Sequence, residues 1–251
     1  MQISDRLKLV ISFVAPCETA ADIGTDHAYV PIALVKAKTV KRAFALDINK
    51  GPLERARKHI EQENLSECIE TRQSDGLEAL CENEADSIII SGMGGELTVN
   101  ILERGEKVVK TAKELVLSPH SEVFLVRKYL VKNGYEIVKE KMIFDMGKYY
   151  TVLKAVKINQ KNNIIDNKIL DNYDQKDYLY GKKLIEEKDA VLKEYLEWKK
   201  KQQTQILEQL EGNTKRAATQ RRKELRRDIR LINEVLKKMA CEEERIQEAV
   251  Q

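Results

Sequence analysis

From Thr19 to Lys157, short apolar runs of strand length alternate with stretches whose apolar residues recur every three or four positions. That alternation predicts strands at Thr19–Ile23, Arg42–Asp47, Ile69–Gln73, Ser87–Ser91, Glu114–Ser118, Tyr135–Phe144 and Tyr149–Lys157. Between them, Val30–Lys36, Pro52–Glu63, Glu96–Thr111 and Glu122–Asn133 have the pattern of amphipathic helices. Strand, helix, strand repeated over this length implies an α/β fold with a mostly parallel sheet wrapped by helices. The last two strands are joined only by Asp145–Lys148, too short for a crossover, so they form an antiparallel hairpin.

After Lys157 the strand pattern stops. Residues 158–181 are polar and Asn-rich and have the character of a linker, whereas Lys182–Glu211 and Thr214–Val250 read as two long helices around Gly212–Asn213. In the second, Leu225, Ile229, Ile232, Leu236 and Met239 recur at spacings of 4, 3, 4 and 3, a heptad seam. A looser stripe runs along the first through Leu184, Val191, Tyr195, Trp198, Ile206 and Leu210. Two helices joined by a tight turn fold back as an antiparallel coiled-coil hairpin. The expected organisation is an α/β domain over 1–157, a linker over 158–181 and a helical hairpin over 182–251.

Charge sharpens this division. Residues 1–157 hold 23 basic and 23 acidic side chains, while 158–251 hold 21 and 18 and so carry the whole net charge of +3. Lys215–Arg230 alone has eight bases against two acids, which suits a polyanion partner. Cys17, Cys68, Cys81 and Cys241 show no paired spacing and only three histidines accompany them, so no metal site and a reducing, cytoplasmic setting are expected. No run approaches the roughly 18 apolar residues a membrane span needs, and the N-terminus lacks the features of a signal peptide.

Ligands of an open parallel sheet bind at the carboxyl ends of its strands. Here those ends carry Asp22-Ile23-Gly24-Thr25-Asp26-His27, then Asp47, Asp75-Gly76, Gly92-Met93-Gly94-Gly95, and Ser118-Pro119-His120. Singly, Gly24 is turn chemistry, Asp47 a helix cap, and His27 or Tyr29 an ordinary partly buried ring; together they describe a site. A dinucleotide turn needs a glycine where Asp26 stands, and a carboxylate beside a pyrophosphate is repulsive. A ligand with an amine and a sulfonium but no phosphate suits Asp22 and Asp26, with Asp47 placed for ribose hydroxyls and Asp75 for an adenine amino group. S-adenosylmethionine meets those demands.

The stretches "DIGTDHAYVP" (Asp22–Pro31), "ALDIN" (Ala45–Asn49), "SDG" (Ser74–Gly76) and "SGMGGE" (Ser91–Glu96) resemble the bacterial tRNA (adenine-22-N1)-methyltransferases, a family of class I methyltransferases. The resemblance spans essentially the whole chain. It implies a Rossmann-like methyltransferase sheet followed by a coiled-coil hairpin, and methyl transfer from S-adenosylmethionine to N1 of a tRNA adenine without a metal. The cofactor is expected to be bound through Asp22, Gly24, His27, Asp47, Ile48, Asp75, Gly76, Gly92 and Met93, and the chain is expected to be a monomer. Asp26 and Tyr29 are the candidates for positioning the target base, with Asp26 open to either cofactor or base, and Arg222, Arg226 and Arg230 for holding RNA. Where the family tends to have "QPN" this chain has Ser118-Pro119-His120, so any amide contact there passes to His120 or is lost. Two rivals are a methyltransferase acting on another RNA or a small molecule, and a non-catalytic module whose coiled coil recruits a protein. The local charge of Lys215–Arg230 argues against a small-molecule substrate and against the protein-recruiting module.

Overall fold

The computed structural model describes residues 3–158, 173–212 and 214–248, and the chain divides into two compact units, Met1–Asn172 and Tyr173–Gln251. The first holds seven strands: β1 (Cys17–Ile23), β2 (Val40–Asp47), β3 (Ile69–Gln73), β4 (Ser87–Ser91), β5 (Glu114–Ser118), β6 (Tyr135–Asp145) and β7 (Lys148–Lys157). They form one sheet in the order β3-β2-β1-β4-β5-β7-β6. β1 pairs in parallel with both β2 and β4, so strand order reverses at β1 and opens a crevice at its carboxyl end. β4 reads Ser-Ile-Ile-Ile-Ser because both its faces are covered. Ile88 and Ile90 enter one core and Ile89 the other.

Among the described residues six helices cover the sheet: α1 (Asp5–Ile11), α2 (Tyr29–Lys36), α3 (Lys50–Gln62), α4 (Gly95–Arg104), α5 (Glu106–Thr111) and α6 (Val123–Lys132). The single helix expected over Glu96–Thr111 is two, divided at Gly105. A Cβ there would overlap the Leu77 side chain, so the chain bends at the one residue that tolerates the approach. α1 goes beyond the sequence reading; Ser4 caps it, its hydroxyl accepting from Leu7 N at 3.3 Å.

The β6–β7 hairpin is antiparallel as expected and closes on Met146 (φ +47°) and Gly147 (φ +81°), the left-handed pair a two-residue turn requires. Its pairing with β5 ends at Leu117 opposite Leu153, whereas the ribbon itself continues to Asp145 opposite Lys148. The last turns of the hairpin therefore run on past the carboxyl edge of the sheet.

In the second unit a π-helical turn, Asp177–Gly181, runs into α7 (Lys182–Glu186), followed by α8 (Ala190–Gln209) and α9 (Arg216–Glu248). The helix expected over Lys182–Glu211 is thus interrupted. Lys188 is left-handed (φ +51°), and the Asp189 carboxylate restarts the helix by accepting from Leu192 N at 2.9 Å. That restart shifts the apolar stripe. Leu192 and Leu196 are buried rather than Val191 and Tyr195, and Trp198 is 51% exposed. On α9, Ala218, Leu225, Ile232 and Met239 are buried at intervals of seven, and α8 and α9 pack together. Residues 159–172 of the linker, Asn213 of the turn and Val250 at the helix end lie outside the described residues.

Candidate functional site

The turn after β1 is built by β2. The amides of Gly24 and Thr25 both donate to Leu46 O at 2.8 Å, which curls the chain across the end of the neighbouring strand. Gly24 sits at φ +76°, and a Cβ on it would overlap the Met93 methyl group. His27 and Ala28 are also left-handed, at φ 59° and 53°, uncommon for residues with side chains and held here by their surroundings. His27 O meets His59 Nδ1 at 2.8 Å. The His27 ring stacks on Tyr29 at 5.3 Å, and Tyr29 meets His59 edge-on at 5.2 Å.

At the crevice lies a cavity of about 320 Å³. Of the residues singled out from sequence, Asp22, Gly24, Asp26, Tyr29, Gly92 and His120 line it. Arg6, Leu7, Val30 and Ser91 complete the lining. Arg6 and Leu7 escaped the sequence reading because α1 did, although Ser4 followed by Leu7, Val10 and Ile11 is a capped helical pattern.

The remaining sequence candidates occupy neighbouring strand ends rather than the cavity wall. Asp47 accepts from Asn49 N at 2.7 Å, and Ile48 is 54% exposed while its carbonyl accepts from Gln73 Nε2 at 3.0 Å. Asp75 accepts from Arg104 Nη2 at 2.8 Å. Gly76 is left-handed at φ +62° against Ile101. His27 supports the turn through Tyr29, and Met93 packs beneath Gly24. The glycine cluster has mixed reasons. Gly92 lies beside His120 and lines the cavity, but a Cβ on Gly95 would overlap the backbone oxygen of Glu122, so that glycine serves helix packing. A larger cleft of about 650 Å³, lined by Asp75, Cys81, Ile101 and Arg104 among others, shares no lining residue with the crevice.

Electrostatics single out Asp22. Its carboxyl is buried, and burial pushes it from the ordinary 3.8 up to about 6; the Thr25 hydroxyl opposes that shift, nearby Asp47 adds to it and Arg6 offsets it. Arg6 is itself lowered by burial, against the pull of Tyr150, Asp145 and Asp22, and its Nη1 is buried without a hydrogen-bond partner. The cavity thus offers a buried carboxyl and, beside it, a guanidinium N–H left without a hydrogen-bond partner. His120 is lowered from its usual value by burial and then by Arg6 and Lys148, which keeps the imidazole neutral near pH 7. Asp26 is the exposed acid of the turn, bound to Arg55 Nη2 at 3.0 Å.

In the second unit Arg222 donates to Leu210 O at 2.7 Å and to Thr219 Oγ1 at 3.2 Å, capping the end of α8. Arg226 and Arg230 are exposed. Of the three arginines expected to hold RNA, Arg222 is thereby tied into the hairpin. Among the described residues no cluster of His, Cys, Asp or Glu could hold a metal, and no helix is long and apolar enough to cross a membrane.

Residues 3–153 match the methyltransferase domain family. Over 155 residues the chain is 37% identical to the tRNA (adenine(22)-N(1))-methyltransferase of Bacillus subtilis, a match spanning 62% of this chain and 65% of that relative. The crystal structure of the B. subtilis M1A22 tRNA methyltransferase TrmK superposes with a TM-score of 0.81 at 32% identity, covering 94% of this chain and 99% of that one. A Streptococcus pneumoniae structure, a putative tRNA (m1A22) methyltransferase in complex with S-adenosyl-L-methionine, gives 0.79 at 31% identity, covering 94% and 100%.

Proposed function

The chain belongs to the tRNA (adenine-22-N1)-methyltransferase family, and from that premise we propose that it transfers a methyl group from S-adenosylmethionine to N1 of adenine 22 in tRNA. The observation that carries the cofactor half is the pairing of buried Asp22 and Arg6 in one small cavity. A zwitterionic amino-acid moiety needs one acidic and one basic partner. Asp22 holds its ammonium group, and the unpaired Nη1 of Arg6 its carboxylate. Gly24 and Gly92 let the ligand approach the backbone, and Asp47 and Asp75, at the next two strand ends, reach the ribose and the adenine amino group.

When bound, the cofactor supplies an electrophilic methyl carbon on a sulfonium sulfur. Adenine N1 carries a neutral lone pair, so the protein has no strong base to provide; its task is to hold donor and acceptor in line. As the N–C bond forms and the C–S bond breaks, positive charge passes from sulfur to the adenine ring. The Asp26 carboxylate, at the cavity wall, stabilises that charge. Tyr29 supplies a ring surface against which the base is held. The second unit, with Arg226 and Arg230 exposed on α9, contributes phosphate contacts.

Calorimetry tests the cofactor half: S-adenosylmethionine should bind and NAD should not. Tight NAD binding, or no binding of S-adenosylmethionine, overturns it.

A further inference from the structure

The free end of the β6–β7 ribbon has features that cofactor binding does not call for. From Leu153, the last residue of β7 paired with β5, the ribbon runs five residues further to Lys148. At about 3.3 Å per residue it overshoots the sheet by roughly 16 Å at the end where the cavity opens. Beside the polar Asp145 and Lys148, the tip of this ribbon carries Phe144, Met146 and Tyr149. Phe144 is 54% exposed and Met146 89%. Phe144 and Tyr149 are cross-strand partners whose rings lie 4.7 Å apart.

The two faces of the ribbon are unlike. Strand alternation puts Tyr150 and Asp145 on one face and Phe144 and Tyr149 on the other. The first face is fixed to the cavity wall. The Tyr150 ring lies 5.2 Å from the His120 ring and under the Arg6 guanidinium at 5.3 Å, and Asp145 Oδ2 accepts from Arg6 N at 3.3 Å. His120 and Arg6 both line the cavity. The ribbon is therefore a partition two strands wide, with the cavity on one side, an aromatic platform on the other and an apolar methionine at its leading edge.

N1 of adenine lies on the edge used in Watson–Crick pairing, so it can meet a methyl donor only when its base is out of the pair. An apolar wedge beside the receiving pocket holds apart the stack that the base has left, as apolar side chains inserted between base steps do elsewhere. We propose that the β6–β7 tip is such a wedge, with Met146 entering the gap vacated by the target adenine and the Phe144–Tyr149 platform stacking on the neighbouring nucleotide. This inference rests on the methyltransferase function above and adds to it a second contact surface for RNA.

The test compares Met146→Ala with Phe144→Ala, singly and together, on two tRNAs. One has the target adenine paired; in the other the opposing nucleotide is replaced so that the adenine is unpaired. Single-turnover rates are measured with cofactor saturating, and cofactor affinity is measured separately by calorimetry. On the paired substrate the double variant should lose at least roughly tenfold, the order expected when one base no longer stacks on an aromatic ring. On the unpaired substrate the rate should return to within about twofold of wild type. Met146→Leu, which keeps an apolar edge, should behave as wild type, and cofactor affinity should not change in any variant. Equal losses on both substrates, or none on either, overturn the wedge while leaving the methyltransferase function intact. A wild-type protein that makes no 1-methyladenosine on either tRNA overturns the function and the wedge together.

Discussion

Asp22→Asn should make the protein more stable and worse at its work. Burial raises the Asp22 carboxyl from 3.8 to about 6, a shift worth about 3 kcal/mol at 1.36 kcal/mol per pH unit. The folded value lies above the unfolded one, so the native state binds the proton more tightly, and that stabilisation is complete below pH about 4. It is lost as pH rises through 6, and above pH 7 the fold bears the whole cost of a buried charge. Asparagine has the same shape and no charge to bury. Urea unfolding without cofactor should therefore give equal stabilities near pH 4 and a variant up to about 3 kcal/mol more stable at pH 8. Cofactor binding should move the other way, weakening by about 1.5–3 kcal/mol through loss of a hydrogen bond to a charged group. Wild-type affinity should also fall as pH drops through 6 and Asp22 takes up its proton, whereas the variant should show no such dependence. A variant no more stable at pH 8, or with cofactor affinity unchanged, would refute the assignment of Asp22 as a charge kept for a cationic ligand.

Other perturbations separate the remaining parts. Asp47→Ala should weaken S-adenosylmethionine binding by about 1.5–3 kcal/mol in calorimetry, and unchanged affinity would remove Asp47 from the cofactor site. Asp26→Ala and Tyr29→Ala should reduce turnover far more than cofactor affinity; the opposite pattern would move both residues into the cofactor site. Arg226→Glu with Arg230→Glu should flatten the slope of log tRNA affinity against log salt by roughly one unit for each phosphate no longer neutralised, and an unchanged slope would mean that this helix face touches no RNA. Gly95→Ala should destabilise the fold by about 1–3 kcal/mol, because the added methyl overlaps the Glu122 carbonyl.

The sheet was largely legible in the sequence because its strands are short runs of strand length that alternate with helical patterns. Ile69–Gln73, Ser87–Ser91 and Glu114–Ser118 coincide with the strands observed. Helix interruptions were not legible, since Gly105 and Lys188 break their helices through tertiary packing and a left-handed backbone that no periodicity records. The second interruption displaced the apolar stripe of α8 from Val191, Tyr195 and Trp198 to Leu192 and Leu196. At the cavity the strand-end residues Asp22, Gly24, Asp26 and Gly92 were visible because the chemistry of an open sheet collects at its carboxyl edge. Arg6 was not visible. It arrives from a helix more than a hundred residues away in sequence from Tyr150 and His120, and only folding sets its guanidinium among them. Gly95 shows the converse, a glycine in the right motif whose reason is a helix contact.

The central claim is methyl transfer to one atom of one nucleotide. Incubating the protein with labelled S-adenosylmethionine and unmodified bulk tRNA, then digesting the RNA and mapping the labelled nucleoside, tests it most directly. Label in 1-methyladenosine at position 22 is the predicted result. Label in another nucleoside or at another position, or tRNA that stays unlabelled while the cofactor binds, would contradict it.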